Sequence, residues 1–189
     1  MSTYFYFAYG SNLLNERLQN RCPTARPVAN AFAPGYGVNF GKIGHDDHGG
    51  SGKGTIFKSD NANERVYGVV YEMHLEEASI LDRIEGIHLT LPTTYIRDAN
   101  FLVHTDAGDQ FQTVTYIAEP DQTPPKPYQW YWALCLSGAI QNDLPKAHQE
   151  HLASFEHMPD PDPQRPGKLE AEMLLKKAGF DYLLGPEAA

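Results

Sequence analysis

The sequence predicts an α+β fold, and three observations on the 189-residue chain support that prediction. Short apolar or alternating runs, typical of strands, fill the first two-thirds of the chain. Segments with helical spacing dominate the last third. No composition shift marks a linker, so one domain is predicted over residues 1–189. Strands followed by helices favour the α+β class, and this many short strands can close into a small barrel, although periodicity does not decide that.

The strands are predicted from runs of β-branched and aromatic residues bounded by turn residues. The first run is aromatic and stops just before Gly10, and the second is broken at Pro34 and Gly35. A glycine-rich loop is predicted over 41–54, and a polar turn over 105–109 separates the last two strands. The predicted strands are 4–8, 28–40, 55–57, 66–73, 95–103 and 112–118.

The helices are predicted from apolar spacing and from residues that begin or end helices. Ser11 and Asn12 are good N-caps before a helical run that reaches Leu18. Residues 75–84 place four apolar side chains on one helical face, and Gly86 follows as a stop. After a loop at 119–127 that carries four prolines, the remaining predicted helices are 128–140, 145–155 and 168–178.

Composition excludes several classes of function. The chain has 15 Lys and Arg against 24 Asp and Glu, a net charge of −9, and no basic run, so nucleic acid is not expected as a partner. Only two cysteines occur, which predicts reduced thiols rather than a disulfide scaffold. The first residues lack the basic region of a signal sequence, and no apolar stretch is long enough to span a membrane. A cytoplasmic protein with no membrane partner is expected, and a homodimer is left open.

The first candidate for chemistry is the loop of Tyr9, Gly10, Ser11 and Asn12, between the first strand and the first helix. Helix N-termini present unpaired N–H groups and a partial positive charge, and a glycine lets the backbone approach a ligand closely. Such a loop can hold a carboxylate or a developing oxyanion. Because helix capping by Ser or Asn is the commoner role, the loop alone does not predict an activity.

The second candidate is Glu85. It lies four residues after Leu81 and seven after Ala78, so it continues the apolar face of its predicted helix. The C-terminal end of a helix carries a partial negative charge, and apolar neighbours such as Ile84 and Ile87 exclude water; both effects raise a carboxyl pKa. A glutamate in this position is a candidate for proton transfer, whereas fraying of the helix end would expose it to solvent.

Other motifs in the sequence are incomplete. The stretch 44–55 has Asp47 where a phosphate-binding loop has its first glycine, and no Gly-x-Ser-x-Gly elbow occurs. His45 with His48, and His148 with His151, are spaced as pairs of metal ligands, but neither pair has a full ligand set. The sequence therefore predicts neither a metal site nor an organic cofactor.

Residues 6–13, with the sequence YFAYGSNL, resemble the N-terminal signature of the γ-glutamylcyclotransferases. Further parts of the family pattern follow in order: His-Gly-Gly at 48–50, the segments 55–57 and 66–73, Leu-Asp-Arg-Ile-Glu-Gly at 81–86, Tyr95, the segment 124–128, and Asp-Leu-Pro at 143–145. The resemblance covers the chain from Tyr4 to about Ala178. The octapeptide together with the spaced Glu-Gly pair is more specific than either part alone.

The resemblance implies a small mixed β-barrel flanked by helices and an enzyme that acts on a small γ-glutamyl compound without a cofactor. In the implied reaction the substrate's own amine attacks its γ-carbonyl and releases 5-oxoproline and a free amino acid. The glutamate before glycine, Glu85, is implied as the general base and acid. The implied substrate-binding residues are Tyr6, Phe7, Ala8, Tyr9, Gly10, Ser11, Asn12 and, after the proline segment, Tyr128.

The chain departs from the family pattern at positions that concern substrate choice. Mammalian members have a tyrosine where this chain has His148, and Asp46 and Asp47 distinguish its glycine-rich loop. Two alternatives stay open: a γ-glutamylamine (isopeptide) cyclotransferase, and a binding module that has lost turnover. Glutathione-specific members resemble Tyr-Gly-Ser-Leu where this chain has Asn12, which disfavours that specificity.

Overall fold

The computed structural model of this chain describes residues 2–44, 50–87, 94–121 and 123–185. Its strands are β1 (Thr3–Ala8), β2 (Arg26–Pro34), β3 (Tyr36–Ile43), β4 (Gly52–Lys58), β5 (Arg65–His74), β6 (Ile96–His104) and β7 (Gln110–Ile117). Five of these strands close into a barrel in the order β1-β5-β2-β6-β7, while β3 and β4 form a separate two-stranded sheet. The expected small β-barrel is confirmed.

The barrel is mixed because one parallel contact joins the two ends of an otherwise antiparallel run. Strand β1 is antiparallel to β5, with Tyr6 opposite Tyr71, and parallel to β7, with Tyr6 opposite Val114. Strand β2 pairs antiparallel with both β5 and β6, and β6 forms a hairpin with β7. Closure leaves these strands without a long open edge, which would otherwise be a site for pairing with another chain.

Of the five helices in the described ranges, three follow the last strand, in agreement with the α+β prediction, while the first two lie between strands. The five are α1 (Asn15–Arg21), α2 (Ala78–Ile84), α3 (Gln129–Gln141), α4 (Lys146–Ala153) and α5 (Pro166–Ala178). Helix α3 is apolar on nearly every face and is buried along most of its length, as expected of a helix at the centre of a core. None of the helices in the described part of the chain is long and apolar enough to cross a membrane.

Helix α3 fixes the segment that follows β1. Gly138 of α3 lies directly against this segment, because a Cβ atom at position 138 would be 2.3 Å from the Leu14 amide nitrogen. Any larger residue there would force the helix and the loop apart. The loop between β1 and α1 is therefore held between the barrel and the buried helix, and its shape is set by packing.

Two predicted elements differ from those observed. The glycine-rich loop was predicted over 41–54, but β3 extends to Ile43 and β4 begins at Gly52, and residues 45–49 lie outside the described part. The predicted apolar face of 75–84 is also wrong. Leu75 and Ile84 are 53% and 41% exposed, whereas Glu77 is buried. The positions of Leu75 and Glu77 have a local cause, because Leu75–Glu77 is a 3-10 turn with three residues per turn and the spacing of an α-helix does not apply there.

Candidate active site

The loop after β1 forms a short 3-10 turn, Ser11–Leu13, that opens at Gly10. The Leu13 amide donates to the Gly10 carbonyl at 2.9 Å. The first N–H groups of a helical turn have no partner within the turn, and here these are the amides of Ser11 and Asn12. The chain then becomes extended at Leu14 before α1 begins.

Neither Ser11 nor Asn12 caps a helix, so the capping interpretation of these residues is wrong. The N-cap positions are Gly10 for the 3-10 turn and Leu14 for α1, and neither makes a side-chain cap bond. The side chains of Ser11 and Asn12 are buried and bound by other groups. The Arg17 Nε donates to Ser11 Oγ at 3.2 Å.

The Asn12 side chain links three parts of the site. Its Oδ1 accepts a hydrogen bond from an Arg21 guanidinium nitrogen at 2.9 Å. Its Nδ2 donates to the Tyr6 hydroxyl at 3.0 Å and to Glu85 Oε1 at 3.5 Å. Asn12 therefore connects the base of the loop to the carboxyl group that the sequence singled out.

Glu85 is held at the end of α2. Its amide donates to the Leu81 carbonyl at 2.8 Å, and Gly86 then turns the chain with a φ of 74°, a conformation that favours glycine. The Glu85 side chain is half-buried and faces into the molecule. Its pKa is raised, as expected, and the chief cause is burial of the carboxyl. Ile84, which was expected to exclude water from this carboxyl, is itself 41% exposed.

Positive groups oppose the effect of burial on Glu85. Arg21, Arg17 and Lys42 each lower its pKa, as does the hydrogen bond from Asn12. Arg17 and Lys42 are themselves buried, with 1% and 7% of their surface exposed. The carboxyl is thus set between a low-dielectric environment, which favours the neutral acid, and nearby cations, which favour the carboxylate.

Glu85 and the loop face a small pocket at one end of the barrel. The first strand and its loop contribute Tyr6, Tyr9, Gly10, Ser11 and Asn12. More distant segments contribute Glu85, Gly54, Tyr95, Tyr116 and Tyr131. The pocket volume is about 40 Å³, which is that of one or two water molecules. A larger ligand would therefore extend from this pocket into solvent.

Three of the five pocket tyrosines use their hydroxyl hydrogens to hold the pocket together. Tyr9 donates to the Tyr116 carbonyl, and Tyr95 donates to the Gly54 carbonyl at 2.5 Å. The Tyr116 hydroxyl donates to Asp82 Oδ1 at 2.8 Å. These bonds fix the walls of the pocket and leave the three hydroxyl groups without a hydrogen to offer a ligand.

The hydroxyls of Tyr6 and Tyr131 are different because each accepts a hydrogen bond from the protein. Tyr6 accepts from Asn12, and Tyr131 accepts from the Gly54 amide at 3.1 Å. Within the described residues, neither hydroxyl hydrogen has a protein acceptor. Burial raises the pKa of both phenols, so they stay protonated at neutral pH. Both can therefore donate a hydrogen bond to a ligand in the pocket.

The structure brings together six of the nine residues proposed from the sequence: Glu85, Tyr6, Tyr9, Gly10, Ser11 and Asn12. The remaining three do not line the pocket. Phe7 and Ala8 are fully buried, and the Phe7 ring stacks on Phe101 with centroids 5.9 Å apart. Successive strand residues point to opposite faces, so Phe7 cannot share a pocket with Tyr6.

Tyr128 also lies outside the pocket lining. It is the N-cap residue of α3, and its ring is 5.3 Å from the Arg165 guanidinium and 5.8 Å from the Lys53 amine. Tyr131, one helical turn later, occupies the pocket position instead. The start of α3 at Gln129 separates the two, because Tyr128 precedes the helix with an extended backbone whereas Tyr131 lies in its first turn.

The described residues contain no group of three or more metal-ligating side chains that could hold a metal ion. His148 is buried against the Tyr67 ring, with ring centroids 5.6 Å apart, and His151 Nε2 is 3.2 Å from the Val38 carbonyl. These two histidines therefore face different groups. His45 and His48 lie outside the described residues.

Comparison with known proteins relates the chain to one family of enzymes. Residues 65–152 match the model of the AIG2-like family. The chain is 33% identical to a γ-glutamylcyclotransferase of Mus musculus over 181 residues, covering 93% of this chain and 89% of that protein. It is 34% identical to a γ-glutamylcyclotransferase of Bos taurus over 159 residues, covering 82% and 79%. A solved structure of a γ-glutamyl cyclotransferase superposes with a TM-score of 0.78 at 29% identity, covering 93% of this chain and 99% of that one.

Similarity in sequence and in fold that covers 79–99% of these relatives' length defines the class of protein. The chain belongs to the γ-glutamylcyclotransferase family. It is an enzyme of this class, and the pocket at Glu85 is its candidate active site.

Proposed function

We propose that this enzyme releases 5-oxoproline and a free amino acid from γ-glutamyl amino acids. The reaction is an intramolecular attack in which the substrate's α-amine closes a five-membered ring on its γ-carbonyl, so no protein nucleophile is required. The observation that carries the proposal is the Glu85 carboxyl, which has a raised pKa and faces a pocket of neutral tyrosine hydroxyls. A carboxyl of this kind can accept and return a proton near neutral pH.

The charges around the pocket support a substrate that carries a carboxylate. The chain has a net charge of −9, yet Arg17, Arg21 and Lys42 lie close enough to lower the pKa of Glu85. A fourth cation, Lys53, lies 4.3 Å from the ring centroid of Tyr131. A local excess of cations in an acidic protein favours an anionic ligand such as a glutamyl group.

The loop supports binding of negative charge at the reacting end. The amides of Ser11 and Asn12 open the 3-10 turn beside Glu85, where they can donate to a carboxylate or to the oxyanion that forms on the γ-carbonyl. The free hydrogens of Tyr6 and Tyr131 add two neutral donors to the pocket. These groups would hold the glutamyl chain folded, and holding reacting groups in place lowers the entropic part of the barrier.

Ring closure moves two protons from the attacking nitrogen to the leaving nitrogen, and Glu85 carries the first of them. The substrate amine arrives as an ammonium, and Glu85 accepts its proton so that the nitrogen lone pair can attack the γ-carbonyl carbon. A C–N bond forms, the carbonyl becomes a tetrahedral oxyanion, and the bond to the leaving nitrogen then breaks. Glu85 returns its proton to that nitrogen as the bond breaks. The ring nitrogen loses a second proton, which the departing amine takes up to become an ammonium, so the carboxylate is regenerated and no water is consumed.

The test is release of 5-oxoproline from a panel of γ-glutamyl compounds, measured by mass spectrometry. We expect turnover of γ-glutamyl-alanine that exceeds turnover of the γ-glutamyl-lysine isopeptide. Preference for the isopeptide would instead identify a γ-glutamylamine cyclotransferase. Binding of the panel without any 5-oxoproline would overturn the proposal and indicate a binding module.

A chelator arm tests whether the chemistry depends on a metal. We expect full turnover in the presence of EDTA, because ring closure with a carboxyl base needs no Lewis acid. Loss of activity with EDTA that is restored by zinc would contradict the proposed mechanism. Both cysteines, Cys22 and Cys135, are free and buried, in keeping with the cytoplasmic location that we propose.

A further inference from the structure

Arg21, the last residue of α1, reaches back to the loop that precedes its helix. One guanidinium nitrogen donates to Asn12 Oδ1 at 2.9 Å. The other end of the same amide faces two groups of the pocket, with Asn12 Nδ2 at 3.0 Å from the Tyr6 hydroxyl and at 3.5 Å from Glu85 Oε1. In this set of hydrogen bonds, Asn12 is the link between Arg21 and Glu85.

The amide of Asn12 has two orientations, and the chemistry of its neighbours distinguishes them. A guanidinium group can only donate hydrogen bonds, and a carboxylate can only accept them. In the observed orientation the amide oxygen meets Arg21 and the amide nitrogen meets Glu85, so both contacts are favourable. The reversed orientation would set donor against donor at Arg21 and acceptor against acceptor at Glu85.

We propose that Arg21 is a positioning residue, which fixes the orientation of the Asn12 amide so that its N–H group faces the Glu85 carboxyl. Without Arg21, no other residue in the described ranges donates a hydrogen bond to the amide oxygen of Asn12. Asn12 could then reverse when Glu85 is protonated, since the neutral acid can donate to an amide oxygen. The effect of Arg21 on turnover rests on the proposed catalytic role of Glu85, whereas its effect on the orientation of the Asn12 amide does not.

Several charged and polar groups besides Arg21 act on Glu85, and the test must separate them. Arg17 from the same helix and Lys42 from β3 also lower its pKa. The phenols that surround it remain neutral, because burial raises their pKa. Among the opposing groups Arg21 has the largest effect, ahead of Arg17 and Lys42. Its contribution includes plain charge as well as any effect through Asn12.

The experiment is a ¹³C NMR titration of glutamate carboxyl groups, with the Glu85 signal assigned by its absence from Glu85→Gln. In Arg21→Met we expect the Glu85 pKa to rise by about one pH unit. In Arg21→Lys, which keeps a donor and a cation at the end of α1, we expect a value close to that of the unmodified protein. The matched control is Arg83→Met, which removes an exposed cation near Glu85 in sequence and is expected to leave the pKa unchanged.

A double-substitution cycle separates positioning from charge. If Arg21 acts through Asn12, the shift caused by Arg21→Met in an Asn12→Leu background should fall to less than half. An undiminished shift in that background, or no difference between Arg21→Met and Arg83→Met, would overturn the inference. The titration does not require turnover, so it tests the inference even if the protein releases no 5-oxoproline. In an active enzyme, the acid limb of kcat/KM should move with the NMR value.

Discussion

Two glutamates, at either end of one short helical segment, have opposite environments. Glu77 is 8% exposed and accepts from the Thr24 amide at 3.1 Å and from the Thr24 hydroxyl at 2.5 Å. Glu85, eight residues later, is more exposed, and from the described part of the chain it accepts one hydrogen bond, of 3.5 Å from Asn12. Glu77 joins α2 to the start of β2, whereas Glu85 faces an open pocket.

The difference shows how a buried carboxylate that stabilises the fold can be told from one that is available for chemistry. Both oxygens of Glu77 are used by short bonds from one residue, so a ligand would have to displace them. Glu85 keeps most of its acceptor capacity and is balanced by cations at a distance. Burial alone does not mark a site; burial with unused hydrogen-bonding capacity beside a cavity does.

The largest effect is expected from Glu85→Gln, which keeps the shape of the side chain but cannot accept a proton. We expect kcat to fall by about a hundredfold to ten-thousandfold, the usual scale of general acid–base catalysis. The free energy of unfolding should be unchanged or higher, because a partly buried carboxylate is removed. Steady-state assays and urea unfolding measure the two quantities. A folded variant with near-normal kcat would show that Glu85, like Glu77, does not take part in the chemistry.

The reverse pattern is expected from Glu77→Gln. Its amide NH₂ would face one of the two donors of Thr24, so we expect a loss of about 1.5–3 kcal/mol in the free energy of unfolding. The value of kcat should change by less than about threefold, because Glu77 does not line the pocket. Urea unfolding and 5-oxoproline release test the variant side by side with Glu85→Gln. Unchanged stability would mean that the Thr24 bonds are not what holds this end of the helix.

Lys53 extends the comparison to a buried cation. It is 5% exposed, its amine donates to Ser51 Oγ at 2.7 Å, and burial lowers its pKa to about 7. Between pH 7 and the ordinary pKa of 10.5 the unfolded chain binds more protons, so stability should rise with pH across that window. Below pH 7 the full cost of the buried charge is present.

We therefore expect Lys53→Met to stabilise the protein by about 1–3 kcal/mol at pH 6.5, with a smaller gain at pH 9.5. Loss of the contacts with nearby aromatic rings, such as that of Tyr131 at 4.3 Å, will reduce the gain. Lys58→Met, on the exposed end of the same strand, is the matched control. Destabilisation at pH 6.5, or a gain that does not depend on pH, would contradict this account of Lys53.

The smallest effect distinguishes two tyrosines at the start of α3. Tyr131→Phe removes a free donor from the pocket, so we expect a rise in KM of about twofold to twelvefold, which corresponds to one neutral hydrogen bond. Tyr128→Phe should change KM by less than about twofold, because that ring lies outside the pocket. An effect on KM from Tyr128→Phe that exceeds the effect from Tyr131→Phe would restore the assignment made from sequence.

The sequence predicted the element types and the two halves of the site, because each depends on local signals. Glu85 was proposed from its place on the predicted apolar face at the end of a helix and from the family's Glu-Gly pair, and the loop was proposed from its glycine and its position between a strand and a helix. Because side chains alternate between the two faces of a strand, Phe7 and Tyr6 are expected on opposite faces. Phe7 was nevertheless proposed as a binding residue, because the whole family motif was transferred to this chain. The position of Phe7 outside the pocket could therefore have been predicted from the sequence.

Other features depend on tertiary contacts that no local pattern encodes. The burial of Glu77 follows from a 3-10 turn and from the position of Thr24, which is 53 residues away. Gly54 and Tyr131 meet across the pocket through a hydrogen bond between residues 77 positions apart in the sequence. The spacing of Arg17 and Arg21 puts both on one face of α1, yet only the fold turns that face toward the loop.

The central claim is that the Glu85 carboxyl carries the proton in this reaction, and the dependence of kcat/KM on pH tests it most directly. Because Glu85 must be deprotonated to accept the proton, activity should fall as pH decreases through its pKa in the free enzyme. Burial raises that pKa above 4.5, so the acid limb should lie above this value in the unmodified enzyme. The residual activity of Glu85→Gln should lack this limb. The same acid limb in both proteins would show that another group titrates, and would contradict the account.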